Sequence, residues 1–171
     1  MNYKVCVVGA GYWGKNHIKT LDKLSVLAGV VESDSALLSS LINDFPDVKF
    51  YDNVNLALKD DYDGFTIATP AETHCEIAKQ VIKAGKHVLI EKPMTLSVSD
   101  SVELVSLSEK YDVNLMVGHV LLFHPAIIKI KEIIRNGSIG DMQYLYSNRL
   151  NLGKVRTEEN VFWSLAPHDI A

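Results

Sequence analysis

The stretch Val5–Gly14 reads VCVVGAGYWG, four apolar residues running into a turn with glycines at positions 9, 11 and 14. The apolar run reads as a short buried strand, and Ile18, Leu21 and Leu24 behind it space one stripe of a helix. A second apolar run, Val26–Val31, ends at Glu32, eighteen residues after Gly14. Strand, glycine turn, helix, strand and acid, in that order, are the fingerprint of a dinucleotide-binding unit. Gly9 permits the tight turn, Gly11 lets backbone approach a pyrophosphate, and Gly14 lets the helix pack close to the strand. The N–H groups at the start of that helix, with about half a positive charge from its dipole, then face the phosphates.

Glu32 sets the choice of nucleotide. Its carboxylate accepts hydrogen bonds from both ribose hydroxyls of NAD. A 2′-phosphate about 4 Å away is repelled by roughly 4 kcal/mol per charge pair at an effective dielectric near 20. Ser33 and Asp34 follow it, and neither offsets that repulsion, so NAD is expected over NADP. The plainer reading of Glu32 is a solvated acid at a strand end. Tyr12 and Trp13, inside the turn, either shield the pyrophosphate or pack against the sheet edge.

Strand and helix patterns alternate beyond this unit. Val48–Tyr51, Phe65–Ala68, His87–Ile90 and Leu115–Val117 read as further strands. Helices are expected between them, one opened by Asp34 as its cap and another covering roughly residues 99–111. Such alternation predicts an α/β fold, a doubly wound parallel sheet of the Rossmann type covered on both faces. After Pro125 the texture changes. A helix through Ile127, Ile130 and Ile134 stops at Asn136-Gly137, and Met142–Leu150 then alternates apolar and polar residues, which predicts a partly solvated strand. The division is placed at 1–122 and 123–171, the second part being the truncated beginning of an α+β domain.

Bulk properties narrow the class. The 171 residues are 47% hydrophobic and carry a net charge of −4, which argues against a nucleic-acid or anionic-membrane surface. The N-terminal apolar stretch is too short and too glycine-broken for a signal peptide, and no run reaches membrane-spanning length. Cys6 and Cys75 lack metal spacing and read as small buried hydrophobes, consistent with a reducing cytoplasm. No metal site is expected.

A second cluster, ATPAETHCEIAKQVIKAGKHVLIEKPM at 68–94, stands with GAGYWGKNH at 9–17 and NGSIGD at 136–141. Together they resemble the Gfo/Idh/MocA family of oxidoreductases, which includes glucose–fructose oxidoreductase and inositol dehydrogenases. The resemblance runs over essentially the whole chain, and Glu91-Lys92-Pro93 is its most specific piece. It implies a nicotinamide cofactor, a sugar or cyclitol substrate, and a cis Lys92–Pro93 bond. It also implies a C-terminal substrate and dimerisation domain, so that 1–122 is the NAD-binding domain and the full-length protein a homo-oligomer. Members are about twice this length, since each carries a second domain of ordinary size.

The segment WSLAPHD at 163–169 aligns with the family's catalytic segment, where an Asp usually stands four residues before the His. That place is Ser164 here; His168 is retained and Asp169 follows it. The run RLNLGKVRTEENVFWSLAPHD is also similar to relatives in nucleotide-sugar and surface-polysaccharide synthesis.

Oxidising a secondary alcohol needs a base that titrates near neutrality, which an ordinary His does at about 6.5 and a Lys at about 10.4 does not. His168 is therefore assigned as general base and Lys92 as the cation that orients the hydroxyl and stabilises the developing alkoxide. Asp169 stands in for the missing carboxylate, although adjacent helical residues point in different directions. Plainer readings are a helix-start histidine for His168 and a surface lysine beside a turn for Lys92. Thr69, Pro70, His74 and Glu91 are placed along the cofactor path; His74 either hydrogen-bonds across the loop near the nicotinamide or is a capping or solvent-facing histidine. His17 reads as helix surface. His119 and His124 are placed near the substrate mouth, or, for His124, in a turn. The leading function is an NAD-dependent dehydrogenase of a sugar, nucleotide sugar or cyclitol. A non-catalytic nucleotide-binding module is the rival, because a chain this short lacks walls that exclude water and hold substrate.

Overall fold

In the computed structural model, residues 3–148 and 161–170 are described. The chain divides into two compact units, Met1–Gly118 and His119–Ala171.

The first unit is a six-stranded parallel sheet: β1 (Val5–Val8), β2 (Leu27–Val31), β3 (Lys49–Tyr51), β4 (Gly64–Ile67), β5 (His87–Ile90) and β6 (Leu115–Val117). Their order across the sheet is β3-β2-β1-β4-β5-β6. Val7 pairs with Val30 on one side and Thr66 on the other, and Thr66 in turn pairs with Leu89. Helices α1 (Tyr12–Lys23), α2 (Ser35–Ile42), α3 (Val54–Ala57), α4 (Ala71–Lys83) and α5 (Val98–Lys110) connect them. The doubly wound fold read from the alternating pattern is the fold observed.

Alternation along the strands builds two cores. Cys6, Val8, Phe65, Ile67 and Ile90 pack with Ala78, Val81 and Ile82 of α4 and Leu104 of α5. Val7 and Val30 face the other way, onto Ile18 of α1 and Leu41 of α2. Both faces of these strands are covered, which is why the runs are nearly unbroken in apolar residues. Burial pushes the Cys6 thiol far up and the Cys75 thiol up, so both behave as apolar filler.

Helix starts differ in a way that matters for the site. Asp34 accepts from the Ala36 and Leu37 amides, Asn53 from Leu56, and Ser97 from Asp100. The start of α1, behind Gly11, has no side-chain cap and no acid in its first turn.

The second unit contains a 3-10 turn (Val120–Phe123), α6 (Pro125–Arg135), α7 (Val161–Leu165) and α8 (Pro167–Ile170). His124 caps α6, its Nδ1 accepting from the Ala126 amide at 3.2 Å, so it is the turn residue of the two readings. The strand expected over Met142–Leu150 is corrected: residues 142–148 form neither strand nor helix, and 149–150 lie outside the described residues. An alternating pattern makes a strand only where a partner supplies the other half of the ladder. No strand is present in this unit among the described residues.

Candidate dinucleotide site

Strand order reverses between β1 and β4, since β1 leads outward to β2 and the chain returns to place β4 on its other side. In an open α/β sheet the crevice past the carboxyl ends at that switch point is where ligands bind. A cleft of about 470 Å³ lies there. Gly9, Gly11, Glu32, Thr69 and Pro70 line it.

The three glycines hold three different positions. Gly9 has φ +90°, and a Cβ there would sit 2.8 Å from the Thr69 methyl and 3.0 Å from the Ala68 carbonyl. A Cβ on Gly14 would lie 1.9 Å from the Gly9 carbonyl oxygen, so a bare backbone is what lets α1 sit against the turn. At Gly11 a Cβ would meet nothing within 4 Å. Gly11 therefore faces open space above an uncapped helix start, the shape and polarity a diphosphate requires.

Glu32 stands at the end of β2. Its Oε2 accepts the Ala10 amide at 2.7 Å and its Oε1 the Asp34 amide at 3.0 Å. Oε1 also accepts the Ser33 hydroxyl at 3.4 Å, so of the about four lone-pair positions of a carboxylate one remains for a further donor such as a ribose hydroxyl. Tyr12 is 83% exposed and stands edge to face with Trp13, ring centroids 5.7 Å apart. Tyr12 does not pack against the sheet edge. The cleft is also lined by Asp52, Asn53, Thr73 and Ile77, which the sequence reading passed over. Asp52 and Asn53 directly follow a strand's carboxyl end, and that rule alone singles them out.

Two residues placed along the cofactor path are held within the protein, and for His74 this is the hydrogen bonding across the loop that was one of its expected readings, not solvent exposure. His74 is 1% exposed, with Nδ1 2.8 Å from the Pro93 carbonyl oxygen and Nε2 2.8 Å from that of Thr69. Both ring nitrogens are occupied by backbone, so the ring ties the Thr69-Pro70 turn to the Lys92-Pro93 loop instead of reaching a ligand. Glu91 is likewise buried, and its Oε1 lies 2.7 Å from Nε2 of His17. Burial alone would push the Glu91 carboxyl up. The hydrogen bond and charge of the His17 ring, with the Lys92 amide and ammonium, outweigh it and hold the group below its usual range. His17 is thus a half-buried partner of Glu91 and not plain helix surface, which its place in α1 hides, because only the sheet brings residue 91 beside it.

Lys92 is partly buried at the end of β5, and the Lys92–Pro93 peptide bond is cis. In the second unit His168 and Asp169 lie on α8, and Asp169 Oδ1 accepts from the Ser147 hydroxyl at 2.9 Å. The side chain of Ser164 lies outside the described residues. No cluster of three or more His, Cys, Asp or Glu suited to a metal occurs among the described residues. No helix among them is long and apolar enough to cross a membrane.

The fold and this site define a dinucleotide-binding domain of the Rossmann class. Residues 3–119 match the Gfo/Idh/MocA oxidoreductase family, described by its NAD-binding Rossmann fold, and the chain belongs to that family. It is 31% identical over 170 residues to a UDP-N-acetylglucosamine 3-dehydrogenase from Acidithiobacillus ferrooxidans, covering 96% of this chain and 51% of that protein. An inositol 2-dehydrogenase of Corynebacterium glutamicum is 27% identical over 97% of this chain and 51% of its own length. Among solved structures, GenD2 from gentamicin A biosynthesis, in complex with NAD, superposes with a TM-score of 0.76 at 31% identity. That match covers 80% of this chain and 40% of GenD2. The chain spans about half the length of the curated relatives it matches.

Proposed function

We propose that this chain is the cofactor-binding part of an NAD-dependent dehydrogenase acting on a secondary alcohol of a sugar, nucleotide sugar or cyclitol. The observation that carries the reading is the open face of Gly11 above the uncapped start of α1, with Glu32 beside it. NAD, when bound, supplies the redox chemistry of the reaction. The residues of the chain do the rest. The α1 amides and Gly11 seat the diphosphate, Glu32 holds the adenosine ribose, and Thr69 and Pro70 border the path toward the nicotinamide end. Lys92 orients the substrate hydroxyl and stabilises negative charge on its oxygen. His168 takes the proton, with Asp169 as the nearby acid. The names of the relatives support a sugar, nucleotide-sugar or cyclitol substrate.

Calorimetry with NAD and NADP tests the binding half. Tighter binding of NAD is expected, and no binding of either would end the reading. Absorbance at the reduced-nicotinamide band with candidate alcohols tests the chemical half. NAD binding with no reduction by any alcohol of these classes would instead mark a binding module without turnover.

A further inference from the structure

We propose that His17 is a positioning residue for Lys92: through the Glu91 carboxylate it joins the diphosphate-facing helix to the lysine loop, so that the two are seated together. The inference rests on the reading above that Lys92 works at the nicotinamide end.

The Glu91 side chain has little freedom. Its Oε1 is held by His17 at 2.7 Å, and its Oε2 accepts the backbone amide of Lys92 at 3.2 Å. A Cβ on Gly118 would stand 3.3 Å from the carboxyl carbon and from both oxygens, tighter than ordinary contact. Gly118 is itself pinned, its amide donating to the Ile90 carbonyl at 2.8 Å, and the Glu91 amide donates to Ile67 at 2.9 Å. The carboxylate is therefore fenced by a ring, an amide and a bare backbone. The side chains of the pair are 22% and 11% exposed, so the interaction is little screened by water.

The consequence is geometric. His17 sits on α1, whose free N-terminus faces the diphosphate, while Glu91 is bonded to the amide of Lys92 itself. Removing the His17 contact leaves the glycine cradle and Glu32 untouched but frees the carboxylate that orients the lysine's backbone. A ligand that ends at the ribose–diphosphate end should not sense the loss. One that reaches the lysine loop should.

Calorimetry on the 171-residue chain with NAD and with ADP-ribose, which lacks the nicotinamide, separates these cases. For His17→Gln the affinity for NAD is expected to fall about fivefold, the worth of roughly one hydrogen bond, with ADP-ribose changed less than about twofold. The Lys92 amide resonance in an ¹H–¹⁵N spectrum should shift in the same variant. Gly118→Ala, which presses on the carboxylate from the other side, should reproduce both effects. An equal loss for both ligands, no loss for either, or an unmoved Lys92 amide in these variants overturns the inference. Failure of the wild-type chain to bind ADP-ribose at all would instead strike the proposed cofactor site.

Discussion

The carboxylate of Glu32 accepts the amide of Ala10 at 2.7 Å, so the acid that ends β2 also braces the glycine turn that follows β1. One side chain thus shapes the cradle and keeps an acceptor position open for a further donor. Glu32→Gln keeps most of the shape and removes the charge. NAD affinity is expected to fall by roughly five- to thirtyfold, with a smaller preference over NADP, and competitive calorimetry checks both. An unchanged ratio of the two affinities would reject the role given to Glu32.

Gly11 and Gly14 are three residues apart and should respond in opposite ways. Gly11→Ala adds a methyl group into open space, at φ −64°, and is expected to leave stability within about 0.5 kcal/mol while largely abolishing NAD binding. Gly14→Ala drives a carbon to 1.9 Å from the Gly9 carbonyl and is expected to destabilise by about 3 kcal/mol or more. Urea unfolding midpoints and NAD titrations on the two variants make the comparison.

The Glu91 carboxyl is held below its ordinary value of 4.5, and that makes stability depend on pH. A group whose folded value is depressed stabilises the fold above its unfolded value, and the contribution is lost as pH falls through the folded one. Stability should therefore decline below about pH 4.5 in proportion to this shift. Glu91→Gln should flatten that part of the profile, measured as urea midpoint against pH.

His74→Leu removes the ring that joins two loops and leaves the Thr69 and Pro93 carbonyls without that partner. A loss of about 1–3 kcal/mol is expected, the cost of one buried carbonyl left without its donor. NAD binding should weaken through misplacement of the Thr69-Pro70 turn, and denaturant unfolding with an NAD titration reads both effects.

The sheet and its ligand end were legible because local signals were redundant. Val5–Val8 with Gly9, Gly11 and Gly14 carries its own strand, turn and helix start, and Glu32 lies one strand further on at a fixed distance along the chain. Asp34 as a helix cap was legible for the same reason: capping is settled within three residues. The strand expected at 142–150 shows the limit, since a period-two pattern states which face is apolar but not whether a partner strand is present.

The amino-acid sequence by itself determined the parallel α/β architecture, the glycine cradle and the acid beside it, because each depends on residues close together along the chain. Only the tertiary structure decided that His17 meets Glu91, that Gly118 leaves room for that carboxylate, and that His74 is bound to backbone on both nitrogens. Those contacts span 74, 27 and 19 residues along the chain, and sheet pairing, which no local pattern encodes, brings their partners within hydrogen-bonding or van der Waals reach.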